Sequence, residues 1–406
     1  MKKDSKAAAR KEKPALTVGV DIGDTFSRYC ILNREGEVME EGRIKTEASA
    51  FRGHFNSEER MRIAMECGTH SPWISRLLEE LGHEVWVANA RKIQLITASE
   101  SKNDRRDAEQ LARLAHFAPR LLFAVRHRSA ERQRDLTLIQ ARATLVRART
   151  MIINTARGLV KSTGRRLPNC SSESFASKVK PMLPEELAEL VGPLLEQAAA
   201  LSAQIERMDQ QVEGLGKNYP EMARLRTVPA VGPLVAATYV LTLDGPQAVA
   251  HSRSAGAFLG LRPRQAQSGD YDPQCRITKT GNTYLRSLLI QWAHYILGRF
   301  GPDSALRRWG LNLAATAGKR GKKRALVAVA RKLAVLLHHL WAHRPALSTL
   351  SPVCCGRGCC PGLDIERSRL FGKFCNRRKT VSRRSLPTSC CGDCVQALGP
   401  KRPRFR

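Results

Sequence analysis

The sequence predicts an α/β layer domain followed by long helices and a mainly helical remainder, an α/β + α class. Three observations carry this. Near the start, LTVGVDI (16–22), SRYCIL (27–32) and EVMEEGRI (37–44) read as consecutive strands, and NREG (33–36) is the turn chemistry of a hairpin between the last two. Further on, 128–162 and 185–215 keep apolar residues at helical spacing for many turns. Beyond 225 the pattern is helical again, interrupted by a polar, Gly- and Pro-containing loop.

After the three strands the expected elements are a helix over 47–59, a strand at 61–66, a helix at 72–81 and a short strand, EVWVAN, at 84–89. The order βββαβαβα is typical of a ribonuclease-H-like layer. A helix is expected to begin near Asp104, with Leu111 and Leu114 continuing one side of it toward a core. The long helix over 128–162 uses Leu136, Leu138, Ile139, Leu145, Ile152 and Ile153 as its apolar positions. The second, over 185–215, is interrupted or kinked at Pro193 and repeats apolar residues near heptad spacing through Leu201, Ile205, Met208, Val212 and Leu215. Core packing and a coiled coil both explain that repeat, and we read it as an oligomerisation element. LRTVPAVGPLVAATYVLTL has the look of a helix-hairpin-helix, whose tight turn offers backbone N–H groups to a phosphate. The last helix expected spans 322–342, with His338 and His339 as interface or surface residues rather than ligands. The boundaries that follow are a basic tail (1–14), an α/β domain (15–125), a helical or coiled-coil linker (126–220), a helical domain (221–345) and a Cys- and Arg-rich tail without expected order (346–406).

The charge balance points to a polyanion. In 406 residues, 68 Lys and Arg stand against 37 Asp and Glu, a net +31. Each cation that neutralises a phosphate also releases condensed counterions. The charge is clustered: residues 120–166 hold eleven Arg and Lys161 against only Glu131 and Asp135, and GKRGKKR (318–324) has no acid. No apolar run of membrane-spanning length is read, and MKKDSKAAARKEK has no apolar h-region, so the expected location is the cytoplasm, at the nucleoid. Aromatic residues make up 5%, which argues against a base-stacking platform as the main binding mode. Of 12 Cys, eight crowd into 354–394; a zinc site from Cys355, Cys359, Cys391 and Cys394 is conceivable, but the spacing is irregular and a tail without metal is preferred.

Against this basic background four acids stand out: Asp21 in VGVDIG, Glu66 in RIAME, and Asp104 and Asp107 in KNDRRDAEQLA. Carboxylates repel a phosphate backbone unless they hold divalent ions that invert the local charge. Asp104 and Asp107, three apart, share a helix face, whereas a lone D-x-x-D is usually an N-terminal cap with a solvated neighbour. Joined to acids at two strand ends, the metal reading is the better one.

At this point the residues resemble a family: bacterial insertion-sequence transposases with an N-terminal DEDD domain similar to the RuvC Holliday-junction resolvases and a C-terminal serine-bearing domain, the recombinases guided by a bridge RNA. The motifs are VGVDIG, AMECGTH, KNDRRDA and GLRPRQAQSG followed by ITKTGNTYLR, and the likeness runs over about 16–342. It implies Asp21, Glu66, Asp104 and Asp107 as catalytic ligands of Mg²⁺ or Mn²⁺, two ions in the usual arrangement. It implies Ser268 as the nucleophile that forms a covalent link to DNA; an isolated Ser-Gly would be a turn. Arg262, Arg264, Arg276, Lys279 and Arg286, with Lys322, Lys323 and Arg324, are assigned to nucleic-acid binding. DNA ends and target, a noncoding guide RNA and a homodimer or homotetramer are the implied partners, with no membrane. Where the family has P-G-I-G, this chain has Pro229-Ala230-Val231-Gly232. A second reading keeps the metals but lets water attack, giving a junction nuclease without a covalent intermediate. An actin-like ATPase, suggested by Asp21-Ile22-Gly23-Asp24-Thr25, lacks its second phosphate loop.

Overall fold

The computed structural model describes residues 14–90, 92–93, 104–273, 275–316 and 318–343. The basic N-terminal tail and the Cys-rich segment with its conceivable zinc ligands lie outside them, except for Pro14. The described residues divide into two units, one running to Ala223 and joined by Gly232–Ala248, the other formed by Arg224–Val231 and the described residues from Val249 onward.

The first unit begins with β1 (Thr17–Asp21), β2 (Phe26–Leu32) and β3 (Val38–Lys45), three antiparallel strands in hairpin succession. The predicted turn forms: Asn33 Oδ1 accepts from Glu35 N and Glu37 N, and Gly36 takes a φ of 89°. β4 (Arg62–Glu66) then pairs parallel to β1, and β5 (Glu84–Ala88) parallel to β4, giving the order β3-β2-β1-β4-β5. The far edge of β5 is covered, because Val125 N donates to Val87 O and Asn89 N to Leu122 O.

Alternation along the strands sorts two faces. Val18, Val20, Ile63, Met65 and Val87 pack on α1 (Ala48–Phe55) and α2 (Ser71–Glu80) through Phe51, Phe55, Ile74, Leu77 and Leu78. Cys30, Leu32, Ala64 and Ala88 pack on α3 (Asp104–Phe117) through Ala108, Leu111, Ala112 and Ala115. This is a three-layer α/β/α arrangement, consistent with the ribonuclease-H-like expectation.

α4 (Ala130–Ser162) starts at Ser129, whose Oγ accepts from Arg132 N, and returns through α5 (Phe175–Val179) to α6 (Glu185–Gly214). The two long helices lie antiparallel: Arg142 meets Asp209, and seven residues on, Arg149 meets Ser202, seven residues back. Val191, Leu195, Ala198, Leu201, Ile205 and Val212 are buried, so the heptad seam read as an oligomerisation element is filled from within the chain. The arginine run is likewise partly used inside the fold. Arg132 pairs with Glu221 and Asp244, Arg149 with Glu173, and Arg128 donates to the carbonyls of Leu241 and Thr242. Those carbonyls end α8 (Pro233–Leu243), which follows the one-turn α7 (Glu221–Leu225) and packs on the two long helices.

In the second unit, α9 (Ala255–Phe258), α10 (Thr283–Leu297), α11 (Ala305–Thr316) and α12 (Gly321–Ala342) bury Leu285, Leu289, Trp292, Val329, Leu333 and Leu337. The sequence reading had no helix at α11. His338, expected at an interface or surface, is 2% exposed within this chain and bonds Ser252 Oγ through Nδ1 at 2.9 Å. α12 also corrects the absence of a membrane-length run: its 22 residues are long and apolar enough to cross a bilayer, yet half of the apolar stretch is buried against the rest of the protein, as in a core helix.

Candidate active site

The acid centre is built by one close approach. Gly19, in the middle of β1, has no side chain, and a Cβ there would stand 2.0 Å from Ala108 O and 2.4 Å from Ala112 N. α3 therefore lies directly on β1. Its direction is fixed at the other end, where Thr17 Oγ1 and His116 Nδ1 are 3.2 Å apart. The helix thus runs antiparallel to the strand. Two residues along β1 from Gly19 advance about 7 Å to Asp21; on α3, Asp107 directly precedes Ala108 and Asp104 lies about one turn, roughly 5 Å, before Asp107. Strand end and helix start arrive at the same level.

Carboxylate oxygens of Asp21, Asp104 and Asp107 accordingly lie within 4.8 Å of one another. Asp104 is exposed; Asp21 and Asp107 are half-buried. Divalent ions take oxygens at about 2.0–2.6 Å, so oxygens on opposite sides of one ion sit roughly 4–5 Å apart. The all-oxygen donor set and its spread fit such an ion.

Glu66 is not part of that group of three, but it stands one strand over. β1 and β4 pair with Val20 opposite Met65, both on the α1/α2 face. The next residue of each strand, Asp21 and Glu66, therefore turns to the α3 face, at neighbouring strands about 4.8 Å apart. Nearby, the Trp73 indole N–H donates to His70 Nδ1 at 3.1 Å, which leaves Nε2–H to donate to Asp24 at 3.2 Å. Gly19, the residue that permits the whole arrangement, was missed in the sequence reading; an isolated Gly inside a Val-rich strand was its available signal.

The predicted serine belongs to the second unit. Residues 260–273 and 275–280 form an antiparallel arm: Lys279 N donates to Gly260 O, Thr278 N to Arg262 O and Arg264 N to Arg276 O, and the tip closes between Ser268 and Tyr271. Gly260 (φ 70°) and Gly281 (φ 75°) fix its base, where a Cβ would meet Thr280 backbone at 2.4 Å and Phe258 O at 2.3 Å respectively. Asn282 then caps α10 by accepting from Leu285 N at 2.9 Å.

Arg262, Arg264, Arg276 and Lys279 are exposed on this arm, and Ser268 is exposed at its tip. Pairing of 262 with 278 and 264 with 276 sends the three guanidiniums from one face. Arg286 differs from the phosphate-binding role expected of it. It is 8% exposed, and its guanidinium donates to Leu259 O, Thr280 O and Thr283 Oγ1. It holds the base of the arm. Lys322, Lys323 and Arg324 are exposed in the first turn of α12, where the helix dipole disfavours cations, a placement that an anionic partner would relieve.

Known proteins align with both units. The family described as Transposase matches residues 18–164, spanning all four acids, and the Transposase IS116/IS110/IS902 family matches 222–308, spanning the serine arm. A Coxiella burnetii transposase for insertion sequence element IS1111A is 27% identical over 345 residues, 83% of this chain and 92% of that one. A Pseudomonas aeruginosa protein described as a family 20 transposase is 28% identical over 288 residues, 69% and 83% of the two chains. A Sinorhizobium fredii protein described as a transposase, y4pF/y4sB, is 30% identical over 279 residues, 67% and 70% of the two. The chain therefore belongs to the IS110-type DEDD transposases, enzymes that cut and rejoin DNA.

Proposed function

We propose that this transposase cuts and rejoins DNA through a covalent link at Ser268, assisted by divalent metal held on Asp21, Asp104, Asp107 and Glu66. The gathering of three carboxylates within 4.8 Å, in a chain of net charge +31, carries the reading. Mg²⁺ or Mn²⁺ on these oxygens supplies positive charge where a phosphodiester would otherwise be repelled.

In the proposed reaction Ser268 Oγ bonds to phosphorus as the bond from phosphorus to the departing deoxyribose oxygen breaks. The serine proton passes to a base, and the departing oxygen takes up a proton to leave as a hydroxyl. Attack by a deoxyribose hydroxyl of the partner DNA reverses these changes, so rejoining needs no ATP. Arg262, Arg264, Arg276 and Lys279 hold phosphates along the arm, and Lys322, Lys323 and Arg324 hold backbone elsewhere. Sequence choice belongs to a noncoding bridge RNA, in keeping with abundant cations and few base readers, and the active species is a homodimer or homotetramer. The domain plan is a DEDD domain over 15–125, a helical linker over 126–220 and a serine domain over 221–345.

The test is cleavage of element-end DNA by variants loaded with the element's noncoding RNA. Ser268→Ala should abolish protein–DNA adducts with nucleic-acid affinity unchanged, and Asp21→Asn should lower cleavage by about a hundredfold or more, as loss of an interaction of several kcal/mol requires. Cleavage by Ser268→Ala without an adduct would instead establish the water-attack junction nuclease, which the acid group, complete within its own unit, equally supports.

A further inference from the structure

The tip of the arm carries a second chemically distinctive side chain. Ser268 N donates to Tyr271 O at 3.1 Å, and Tyr271 N donates to Ser268 O at 3.0 Å. The two residues therefore form the hydrogen-bonded pair that closes a two-residue turn, with Gly269 in the left-handed region at φ 55°. Residues paired this way send their side chains from the same face, with Cβ atoms about 5 Å apart. The Tyr271 and Ser268 side chains therefore leave one face of the turn as neighbours.

Folding gives no reason for that ring. Tyr271 is 69% exposed, in a chain with only six Tyr. Among the described residues its ring stacks on no other, and its hydroxyl has no hydrogen-bond partner. A large aromatic left in water at the end of an arm whose stem carries Arg262, Arg264 and Arg276 repeats the pairing of cationic track and aromatic face by which proteins hold single strands.

We propose that Tyr271 stacks on an unpaired DNA base of the nucleotide adjoining the scissile phosphate, and thereby positions phosphorus against Ser268. The inference rests on Ser268 as nucleophile. A base within a duplex offers no free face, so the partner is a base extruded or exposed where strands separate, as strand exchange requires. One ring at the point of chemistry differs from a stacking platform, which the low aromatic content disfavours. The role needs the ring face and not the phenol, which separates it from nucleophilic attack by the tyrosine itself.

The experiment uses the full-length protein loaded with the noncoding RNA of its element and a synthetic duplex spanning the element end, with 2-aminopurine on either side of the cleaved phosphate. In the Ser268→Ala background, expected to leave DNA uncut, binding should quench one 2-aminopurine. That quenching should persist in Ser268→Ala/Tyr271→Phe and vanish in Ser268→Ala/Tyr271→Ala. With serine present, Tyr271→Ala should slow adduct formation about five- to a hundredfold, the range that loss of one base stack gives. Tyr271→Phe should remain within about twofold of the unmutated protein. Unchanged thermal unfolding of both variants is expected of an exposed tip. Quenching or adduct rate unaffected by Tyr271→Ala overturns the proposal while leaving Ser268 in place, and loss of adduct in Tyr271→Phe overturns it in favour of hydroxyl chemistry. If the unmutated protein forms no adduct at all, the serine reading falls and this inference with it.

Discussion

Ala230 and Tyr29 show how single side chains set the stability of this protein. Ala230 holds a φ of 64°, a left-handed conformation costly for any residue with a Cβ. It occupies the position where the resembled family has glycine, and the fold here is made around the less suitable residue. Ala230→Gly is expected to raise unfolding free energy by about 0.5–1.5 kcal/mol, read from the shift of a denaturant midpoint at unchanged slope. Tyr29 is buried and donates to Glu40 Oε1 at 2.6 Å; burial first, then that bond, pushes its pKa from 10 up to about 12. The unfolded chain releases this proton near pH 10 while the folded one keeps it. The stability so contributed is complete below pH 10 and is lost as pH rises toward 12. Tyr29→Phe should flatten the decline between those limits, measured by urea unfolding at a series of alkaline pH values. Tyr219, raised in the same direction by burial and by Asp135, keeps its own slope in both proteins.

The elements were legible wherever one segment carried its own signal. Period-two apolar residues in β1, β2 and β4 and the long helical periods of α4 and α6 were read nearly to their ends, because local pattern and burial agree there. What was not legible was which element faces which. The repeat in α6 states that a helix must meet it but not whether that helix belongs to the same chain; the apolar cluster of Ile153, Ala156 and Val160 with Val191, Leu195 and Ala198, and the Arg142–Asp209 and Arg149–Ser202 contacts, identify α4 as the occupant. Arg286 was grouped with its exposed neighbours because a one-dimensional string does not reveal that the arm folds back over it. The acids were found by type and spacing, whereas the contact that assembles three of them, Gly19 under α3, depends on a distance no motif encodes. That contact yields a direct expectation. Gly19→Val drives a side chain into the backbone of Ala108 and Ala112, so α3 must lift. The cost is about 1–3 kcal/mol in stability, and Mn²⁺ affinity by calorimetry should fall with it. A variant as stable as the parent with unchanged Mn²⁺ binding would show that α3 does not depend on this approach.

Taken whole, the molecule carries a negative centre on one unit and an exposed hydroxyl on the other, within a chain whose surplus of 31 positive charges draws it to nucleic acid. Composition alone pointed to the polyanion, and the four acids to divalent metal, since both follow from charge. The motif GLRPRQAQSG with ITKTGNTYLR turned out to encode largely architecture: Gly260, Gly281, Asn282 and Arg286 build and anchor the arm, and Ser268 with three arginines is what the arm presents. The account therefore stands or falls on whether that hydroxyl becomes bonded to DNA in a manner governed by the acids. The direct measurement is peptide mapping by mass spectrometry of protein loaded with its element's noncoding RNA and trapped on element-end DNA, with Mg²⁺ and with chelator. The nucleotide mass is predicted on the peptide containing Ser268, in the presence of Mg²⁺ only, and absent from Asp21→Asn. Nucleotide attached to another residue, or strand cleavage in Mg²⁺ with no attached peptide, would contradict it.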